Sequence, residues 1–307
     1  MFIGIPCTLS FTDNSYQLPV HQSLADTQSL FICPICGKLL EADQAGKTFS
    51  CLNHHSFDKA KEGYLNLLPV QHKHSKEPGD SKAMLTARRE FLESGFYEPM
   101  AKAVAMIINT THEHIQTIRL LDLGCGEGYY SRKIIEFCNN PNTISLHGID
   151  IAKFAIAAAA KKQSEAQFIV ASSIRLPYPT GYFDFILRIF APSDDNELKR
   201  VLNSAGYLLT VTPGPRHLRQ LKSFIYNEVK DHSLENLVPH DFEQLTTQRI
   251  SYKITPDANQ RIALLQMTPF AWRANENTQL TLSSVLELEI EVDFILTLSV
   301  KKRDSTS

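Results

Sequence analysis

The sequence predicts an α/β fold: a small metal-binding domain, then a mainly parallel, seven-stranded sheet with helices on both faces. Three observations support this prediction. A glycine-rich turn follows the short apolar run at residues 119–121, the acidic Asp150 ends the next apolar run, and Cys33 and Cys36 form a Cys-x2-Cys pair near the start. With 307 residues, the chain is long enough for a main domain and an appendage.

The overall composition is that of an ordinary soluble protein, with 43% hydrophobic and 21% charged residues. The formal net charge of −2 excludes a global basic field, so any contact with nucleic acid must depend on local positive charge. No apolar run approaches the roughly 18 residues of a membrane helix, and the N-terminus lacks the features of a signal peptide. We therefore expect a cytoplasmic protein without a membrane partner.

The glycine-rich turn is the first candidate site. Asp122, Gly124, Gly126 and Gly128 follow the apolar run, and residues 129–138 have helical composition. Glycines at a strand-to-helix turn let the backbone bend sharply and approach a ligand. The helix start that follows offers unpaired N–H groups to a ligand. The G-x-G-x-G spacing differs from the G-x-G-x-x-G of a typical dinucleotide fold.

Asp150 lies 22 residues after Gly128, where a second strand is predicted to end. An acidic residue at this distance is placed to accept hydrogen bonds from a ribose diol. The alternative is a helix N-cap ahead of residues 152–162. Together with Asp122 and the three glycines, this pattern resembles motifs I and II of the class I S-adenosylmethionine (SAM) methyltransferases.

The N-terminal cysteines have the spacing of a structural zinc site. Cys33 and Cys36 are followed about 15 residues later by Cys51 and, close behind it, His54 and His55. Metal binding supplies folding energy to a segment too small for its own core. The spacing alone leaves open which histidine is the fourth ligand, and three unrelated buried cysteines are the competing interpretation.

A local basic cluster follows the predicted zinc site and is interleaved with Phe57 and Tyr64. Cations and aromatic rings suit RNA, where phosphates need positive charge and splayed bases need stacking partners. The alternative is a solvated linker. The cations are Lys59, Lys61, His72, Lys73, His74 and Lys76.

The predicted domain organisation has four parts. Residues 1–32 form an extension that we expect to be poorly ordered, 33–68 the zinc-binding RNA-recognition domain, 69–110 a linker with helices at 82–94 and 97–108, and 111–307 the main domain. Further strands are expected at 167–171, 183–189, 207–212, near 249–254 and near 289–300.

Several sequence blocks narrow the resemblance. CPIC, KEGYLNLLPVQHK, PGDS, ARREFLESGFYEP, LDLGCGEGYYSR, ASSIRLP, TPGPRHL and LLQMTPFAWRA occur in this order. Over residues 33–300 the chain resembles the bacterial 23S rRNA (guanine-N1)-methyltransferases of the RlmA type. The resemblance implies a zinc-ribbon-like domain joined to a Rossmann-like class I methyltransferase domain, SAM as methyl donor and a structural Zn²⁺. It also implies a homodimer and, as target, a hairpin-loop guanine in domain II of 23S rRNA.

The same resemblance implies roles for individual residues. The zinc ligands would be Cys33, Cys36, Cys51 and His55. The contacts to the methyl donor would include Tyr97, Gly126, Glu127 and His217, besides Asp122, Gly124 and Asp150 from the two motifs. Without the resemblance, Tyr97 could equally be an interhelical core residue, and His217 would be a surface residue at a helix start after Pro215.

Some positions depart from common methyltransferase patterns. Ser172 stands where many class I enzymes have the aspartate that binds adenine, and Gly206 alone preserves the usual Lys-Pro-Gly-Gly before the fifth strand. Residues 188–192 are not the Asn/Asp-Pro-Pro-Tyr of many amino-group methyltransferases, which favours a ring nitrogen as acceptor. Arg188 and Arg216 are expected at the pocket mouth, and no residue is identified as the catalytic base. The alternatives are a small-molecule methyltransferase and a catalytically inactive RNA-binding protein.

Overall fold

The computed structural model describes residues 30–69, 79–112, 117–234 and 237–302. The first described segment is a four-stranded antiparallel ribbon with strands in the order β1-β2-β3-β4. Its strands are β1 (Phe31–Ile32), β2 (Leu39–Ala42), β3 (Thr48–Cys51) and β4 (Ser56–Asp58). The extension predicted for residues 1–32 is thus shorter than expected, because β1 already pairs with β2; residues 1–29 lie outside the described part.

The second sheet has eight strands in the order β11-β12-β10-β9-β6-β7-β8-β5. Strand β12 pairs antiparallel with β10 and β11, and the other pairs are parallel. The strands are β5 (Leu65–Asn66), β6 (Ile118–Leu123), β7 (Ile144–Asp150), β8 (Gln167–Val170), β9 (Phe183–Ile189), β10 (Leu202–Pro213), β11 (Phe242–Ile254) and β12 (Ile290–Lys301). The predicted α/β fold is confirmed, with one strand more than the seven expected.

The extra strand, β5, comes from the segment assigned to the zinc domain. Leu65 and Asn66 pair with Ile169 and Val170 at the edge of the large sheet. The ribbon is held nearby, since the Ile32 N–H donates to the carbonyl of Pro177 at 3.1 Å. The chain has therefore left the ribbon before the predicted boundary at residue 68.

Helices cover both faces of the large sheet, and two hydrophobic core clusters lie on its two sides. The cluster that contains Leu121 and Ile186 continues into the ribbon through Phe31 and Leu40. None of the helices in the described part of the chain combines the length and apolar character of a membrane span. The helices are α1 (Lys82–Glu93), α2 (Glu98–Thr111), α3 (Tyr129–Phe137), α4 (Lys153–Lys162), α5 (Asp195–Val201), α6 (Arg219–Lys222), α7 (Ala258–Gln266) and α8 (Glu276–Ser284).

Strand β6 lies at the point where the connections change direction. Its neighbour on one side is β7, which follows it in the chain, and its neighbour on the other side is β9. In open α/β sheets, ligands bind at such a switch point, outside the carboxyl ends of the strands. This is the edge at which the glycine turn, Asp150 and the end of β9 lie.

Candidate functional site

The glycine turn has the backbone conformation that its composition predicts. Gly124, Gly126 and Gly128 have φ values of 74°, 55° and 71°, in the left-handed region that favours glycine. A Cβ atom on Gly124 would lie 2.6 Å from the Cβ of Ala191, whereas one on Gly126 would meet nothing within 4 Å. The turn therefore packs closely against the segment after β9 and leaves open space above Gly126.

Asp150 braces this turn. Its carboxylate accepts hydrogen bonds from the Gly126 N–H at 2.9 Å and the Ala152 N–H at 2.8 Å. Burial raises the pKa of Asp150, and these two backbone hydrogen bonds act in the opposite direction. Ala152, not Asp150, is the N-cap residue of α4. A carboxylate has about four lone-pair sites, so two remain available for a ribose diol.

Asp122 lies beneath the turn. Only 2% of its surface is exposed, and it accepts a hydrogen bond from the Ser131 hydroxyl of α3. Burial raises the pKa of Asp122 to about 7, although the hydrogen bond from Ser131 lowers it. Its contacts fix α3 against the end of β6, and this is how the residue shapes the predicted donor site.

The Glu127 side chain pairs with two cations. Its carboxylate accepts from the Arg89 Nε at 2.7 Å and lies 3.6 Å from the Lys162 Nζ. Burial alone would raise the pKa of Glu127, but Arg89 and Lys162 bring it below its ordinary value. The ion pairs connect α1 and α4 across the glycine turn. Glu127 therefore helps to form the wall of the predicted donor site.

Tyr97 and His217 meet at the other end of the site. The Tyr97 hydroxyl lies 3.5 Å from the His217 Nε2, and the His217 Nδ1 accepts the Asp293 N–H at 3.1 Å. Because Nδ1 is an acceptor, the neutral ring carries its proton on Nε2. Burial lowers the pKa of His217 to about 3. The sequence alternative of a surface histidine is wrong, because only 8% of His217 is exposed.

Tyr97 is 1% exposed, and its ring packs edge-to-face on Phe91 and Phe294. The interpretation of Tyr97 as an interhelical core residue thus describes its packing. The contact of Tyr97 with a methyl donor stays a prediction, as do the donor contacts predicted for the other site residues.

Asp293 is a site residue that sequence reasoning missed. It is fully buried, and its carboxylate accepts from the Arg249 Nε and Nη2 at 2.8 and 2.9 Å and from the Arg216 N–H at 2.9 Å. A Cβ on Gly214 would approach Asp293 to 2.3 Å, so only glycine fits there. Asp293 thereby fixes the loop that carries His217. The one sequence signal was Gly214 between two prolines.

A cleft of about 430 Å³ lies at the ends of β9 and β10. The Arg188 guanidinium donates to the Ser193 hydroxyl at 2.7 Å and to the Thr210 hydroxyl at 3.1 Å. Burial lowers the pKa of Arg188 below its ordinary value. Arg216 instead pairs with Glu291 at 2.8 Å. The cleft is lined by Arg188, Phe190, Ala191, Pro192, Thr210, Val211 and Thr212.

Ser172 lies directly beyond β8, and its hydroxyl accepts the Ile174 N–H at 3.3 Å. The hydroxyl therefore closes a local turn at the position where many class I enzymes bind adenine. A contact between Ser172 and adenine is not assigned.

The predicted zinc ligands converge in the ribbon. The ligand atoms of Cys33, Cys36, Cys51 and His55 all lie within 4.8 Å of one another. The Cys36 and Cys51 sulfurs are 3.6 Å apart, and the His55 Nδ1 lies 3.5 and 3.4 Å from the Cys33 and Cys51 sulfurs. Bonds of about 2.3 Å to sulfur and about 2.05 Å to nitrogen give tetrahedral edges of about 3.8 Å and about 3.6 Å. The spacing fits a tetrahedral zinc ion.

His54 is the other histidine that spacing left open. It has a left-handed backbone with φ 61°, and the four-residue cluster contains His55 instead. Four protein ligands leave no open coordination position, which is typical of a structural zinc site.

Comparison with known proteins agrees with this geometry. The model of the RlmA N-terminal zinc ribbon matches residues 31–76, and a methyltransferase domain model matches residues 120–210. YxjB of Bacillus subtilis, named provisionally as a 23S rRNA (guanine-N(1)-)-methyltransferase, is 30% identical over 283 residues, 89% of this chain and 98% of YxjB. The chain belongs to the RlmA-type 23S rRNA (guanine-N1)-methyltransferase family. The chain is accordingly a SAM-dependent methyltransferase, and its Cys3His cluster is a structural zinc site.

Other relatives of this RlmA-type chain differ in how much of it they match. The 23S rRNA (guanine(748)-N(1))-methyltransferase of Streptomyces fradiae is 30% identical over 78% of this chain and 85% of its own length. The malonyl-[acyl-carrier protein] O-methyltransferase of Legionella pneumophila is 28% identical over only 41% of this chain and 49% of its own length. Among solved structures, YcgJ from Bacillus subtilis has a TM-score of 0.43 and 19% identity over 66% of this chain and 99% of YcgJ.

Proposed function

We propose that this protein transfers the methyl group of SAM to N1 of one unpaired guanine in a hairpin loop of domain II of 23S rRNA. The supporting observation is the contact between two sites. The glycine turn, where the donor is expected, meets the cleft at the end of β9 through Gly124 and Ala191. The names of relatives that match most of the chain support guanine N1 as the acceptor.

The proposed chemistry makes modest demands on the protein. SAM, when bound, supplies an electrophilic methyl group, so the chain's main task is to align donor and acceptor. Asp150 would hold the ribose, and the neutral His217 and Tyr97 add no positive charge next to a cationic donor. Guanine N1 loses its proton during the reaction, either to a base or to water. Because N1 lies on the Watson–Crick edge, the base must be unpaired or flipped.

The RNA surface that the sequence predicted needs revision. Tyr64 is only 5% exposed and packs in the core, so it cannot stack on a base. Lys59 and Lys61 are exposed on the chain segment that leaves the ribbon. The other predicted cations, His72, Lys73, His74 and Lys76, lie outside the described residues.

An exposed aromatic residue on the methyltransferase domain offers a better stacking surface. Trp272 is 76% exposed, and the Arg273 guanidinium lies 4.7 Å from its ring and 5.4 Å from the ring of Tyr226. An exposed indole next to a cation suits single-stranded RNA, whose bases stack on aromatic rings while phosphates contact cations. We propose that Trp272 and Arg273 contact nucleotides that flank the target.

Reverse transcription of rRNA tests the proposed substrate, because methylation of N1 destroys the base-pairing edge. Wild-type 23S rRNA should show one stop in domain II, which a deletion of the gene removes. Purified protein with SAM should restore the stop on rRNA from the deletion strain. A stop that persists in the deletion strain would contradict the proposal.

The same purified protein also tests the two alternatives. Methylation of free small molecules but not rRNA would favour a small-molecule enzyme. Failure to bind SAM would favour an inactive RNA-binding protein. The homodimer that the resemblance implies stays a prediction, which sedimentation equilibrium of the zinc-loaded protein would test.

A further inference from the structure

The cleft beside Ala191 contains a residue with a strained backbone, Phe190, whose ring centroid lies 6.1 Å from those of His217 and Phe294. Phe190 has a φ of 52°, and 43% of the residue is exposed. Residues with a Cβ avoid this left-handed region, and those held in it are concentrated at functional sites. The Phe190 N–H donates to the Val211 carbonyl at 3.1 Å. The fold therefore holds Phe190 in an unfavourable conformation and leaves its ring partly in solvent.

The same cleft contains a cation that is not hydrogen-bonded to a carboxylate, although the charge of Asp195 acts on it from a distance. Arg188 is in register with Leu123 at the end of β6 and with Thr210 of β10. Its two hydrogen bonds go to the neutral hydroxyls of Ser193 and Thr210, and it forms no ion pair with any carboxylate in the described ranges. A guanidinium has five donor hydrogens. Arg188 can therefore donate to a ligand without losing its present contacts.

Thr212 supplies the third observation. Its hydroxyl is buried and has no hydrogen-bond partner among the described residues. Buried polar atoms are normally satisfied, so such an atom needs an explanation. Thr212 lies two residues beyond Thr210 on β10 and lines the cleft with Arg188. A ligand with a hydrogen-bond donor would satisfy the hydroxyl.

We propose that this cleft is the binding pocket for the target guanine and that three side chains identify the base. The ring of Phe190 stacks on the purine, the Arg188 guanidinium donates to O6, and the Thr212 hydroxyl accepts from the 2-amino group. O6 and the amino group flank N1 on guanine, so these contacts direct N1 between them. The inference rests on the proposed function and adds the residues that select the base.

Arg188 would also assist the reaction. The N1 proton passes to water first, which leaves a negative charge shared by N1 and O6. The freed N1 lone pair then forms the bond to the methyl carbon, and the carbon–sulfur bond breaks with its electrons going to sulfur. A guanidinium placed at O6 stabilises this charge in a site that is already partly dehydrated. The pH dependence of the reaction should therefore change when Arg188 is replaced.

The experiment uses the full, zinc-loaded protein and two RNA hairpins, one with guanine and one with inosine at the target. Inosine keeps N1 and O6 but lacks the 2-amino group. Thr212→Val should lower kcat/KM about three- to tenfold on guanine and leave inosine unaffected. Arg188→Met should lower it about ten- to a hundredfold on both hairpins and raise the pH at which the single-turnover rate levels off. Thr247→Val, at an exposed position of β11 outside the cleft, is the control for this substitution.

Phe190 provides an independent test. Phe190→Gly removes the ring and relieves the positive φ, so the protein should stay folded while kcat/KM falls about ten- to a hundredfold. Phe190→Trp should retain most of the activity. SAM affinity, measured by calorimetry, should be unchanged in every variant. If Arg188→Met does not fold, Arg188→Lys, which keeps the charge without the planar fork, takes its place and should give a smaller loss on both hairpins.

Several results would overturn the proposal that this cleft binds the target guanine. Equal losses for Thr212→Val on guanine and inosine would exclude the amino contact, and an unshifted pH profile for the Arg188 variant would exclude the O6 role. Full activity of Phe190→Gly would exclude stacking. If these results are obtained while the wild-type protein still methylates the guanine hairpin normally, the proposed function stands and only the pocket is wrong. A wild-type protein that fails on the guanine hairpin overturns both proposals.

Discussion

Replacing Asp150 tests two roles of its carboxylate separately: support of the glycine turn and binding of the SAM ribose. The Asp150→Ala variant loses the acceptor for the Gly126 and Ala152 N–H groups, which lie 2.9 and 2.8 Å from the carboxylate. Because the site is partly open, water can replace part of this loss, and we expect about 1–2 kcal/mol of destabilisation. In a domain of this size, that lowers the melting temperature by about 2–8 °C.

The effect of Asp150→Ala on the affinity for SAM should be larger than its effect on stability, and more specific. If Asp150 accepts hydrogen bonds from the ribose, Asp150→Ala removes contacts to a charged acceptor worth about 1.5–3 kcal/mol. The dissociation constant for SAM should then rise about tenfold to a hundredfold. Isothermal calorimetry on the folded variant, below its melting temperature, measures this change.

Asp194 provides the matched control. Its carboxylate also accepts two backbone N–H groups, those of Asn196 and Glu197 at 3.0 and 3.1 Å, where it caps α5. Asp194→Ala should therefore cost similar stability and leave SAM affinity unchanged. If Asp150→Ala and Asp194→Ala both bind SAM like wild type, Asp150 only supports the backbone and does not hold the ribose.

Three further predictions concern metal, pH and RNA. Cys36→Ser should lose its zinc, as metal analysis would show, and its ribbon should unfold. Cys138→Ser, which replaces a buried thiol outside the cluster, should keep its zinc. Zinc loss in both variants would contradict the assignment. Burial raises the pKa of Asp122 from 3.8 to about 7, so the folded chain keeps a proton that the unfolded chain releases, and stability falls as pH rises through this window. In this window the free energy of unfolding of Asp122→Asn should rise relative to that of wild type by about 1.4 kcal/mol per pH unit. Urea unfolding at pH 5, 6 and 7 measures the difference, and a difference that stays constant with pH would disprove the shift. Trp272→Ala should weaken hairpin binding about tenfold with SAM affinity unchanged. Leu286→Ala, which truncates a fully exposed apolar side chain, should bind like wild type, and equal affinities for the two variants would exclude Trp272 from the RNA surface.

The parts of the site that sequence could predict are local in the chain. The glycine turn needs left-handed backbone at fixed spacing, and the zinc cluster needs ligands within a short segment, so both leave a readable pattern. Asp150 was predicted from its distance to the turn. The positions of the strands along the chain followed from apolar runs that alternate with helical segments, which is why the fold class is confirmed.

The remaining features depend on residues brought together by the fold. His217 takes its tautomer from the backbone of Asp293, which is 76 residues away, and no periodicity links the two. Glu127 pairs with Arg89 across 38 residues. The positive φ of Phe190 has no signal in residue type, because phenylalanine rarely adopts it. Tyr64 was misjudged as an exposed stacking residue because the pairing of β5 with the large sheet could not be anticipated.

The pairing of β5 also joins the metal site to the donor site mechanically. Asn66 of β5 pairs with Val170 of β8, and Val170 pairs in turn with Asp150 of β7. A chain shortened to begin at α1 would leave β8 as a bare sheet edge, a surface prone to joining other chains. Zinc depletion should likewise weaken the attachment of β5 to the sheet, and β5 lies only two strands away from the strand that carries Asp150. In a cell short of zinc, rRNA methylation by this protein should therefore decline before the methyltransferase core unfolds.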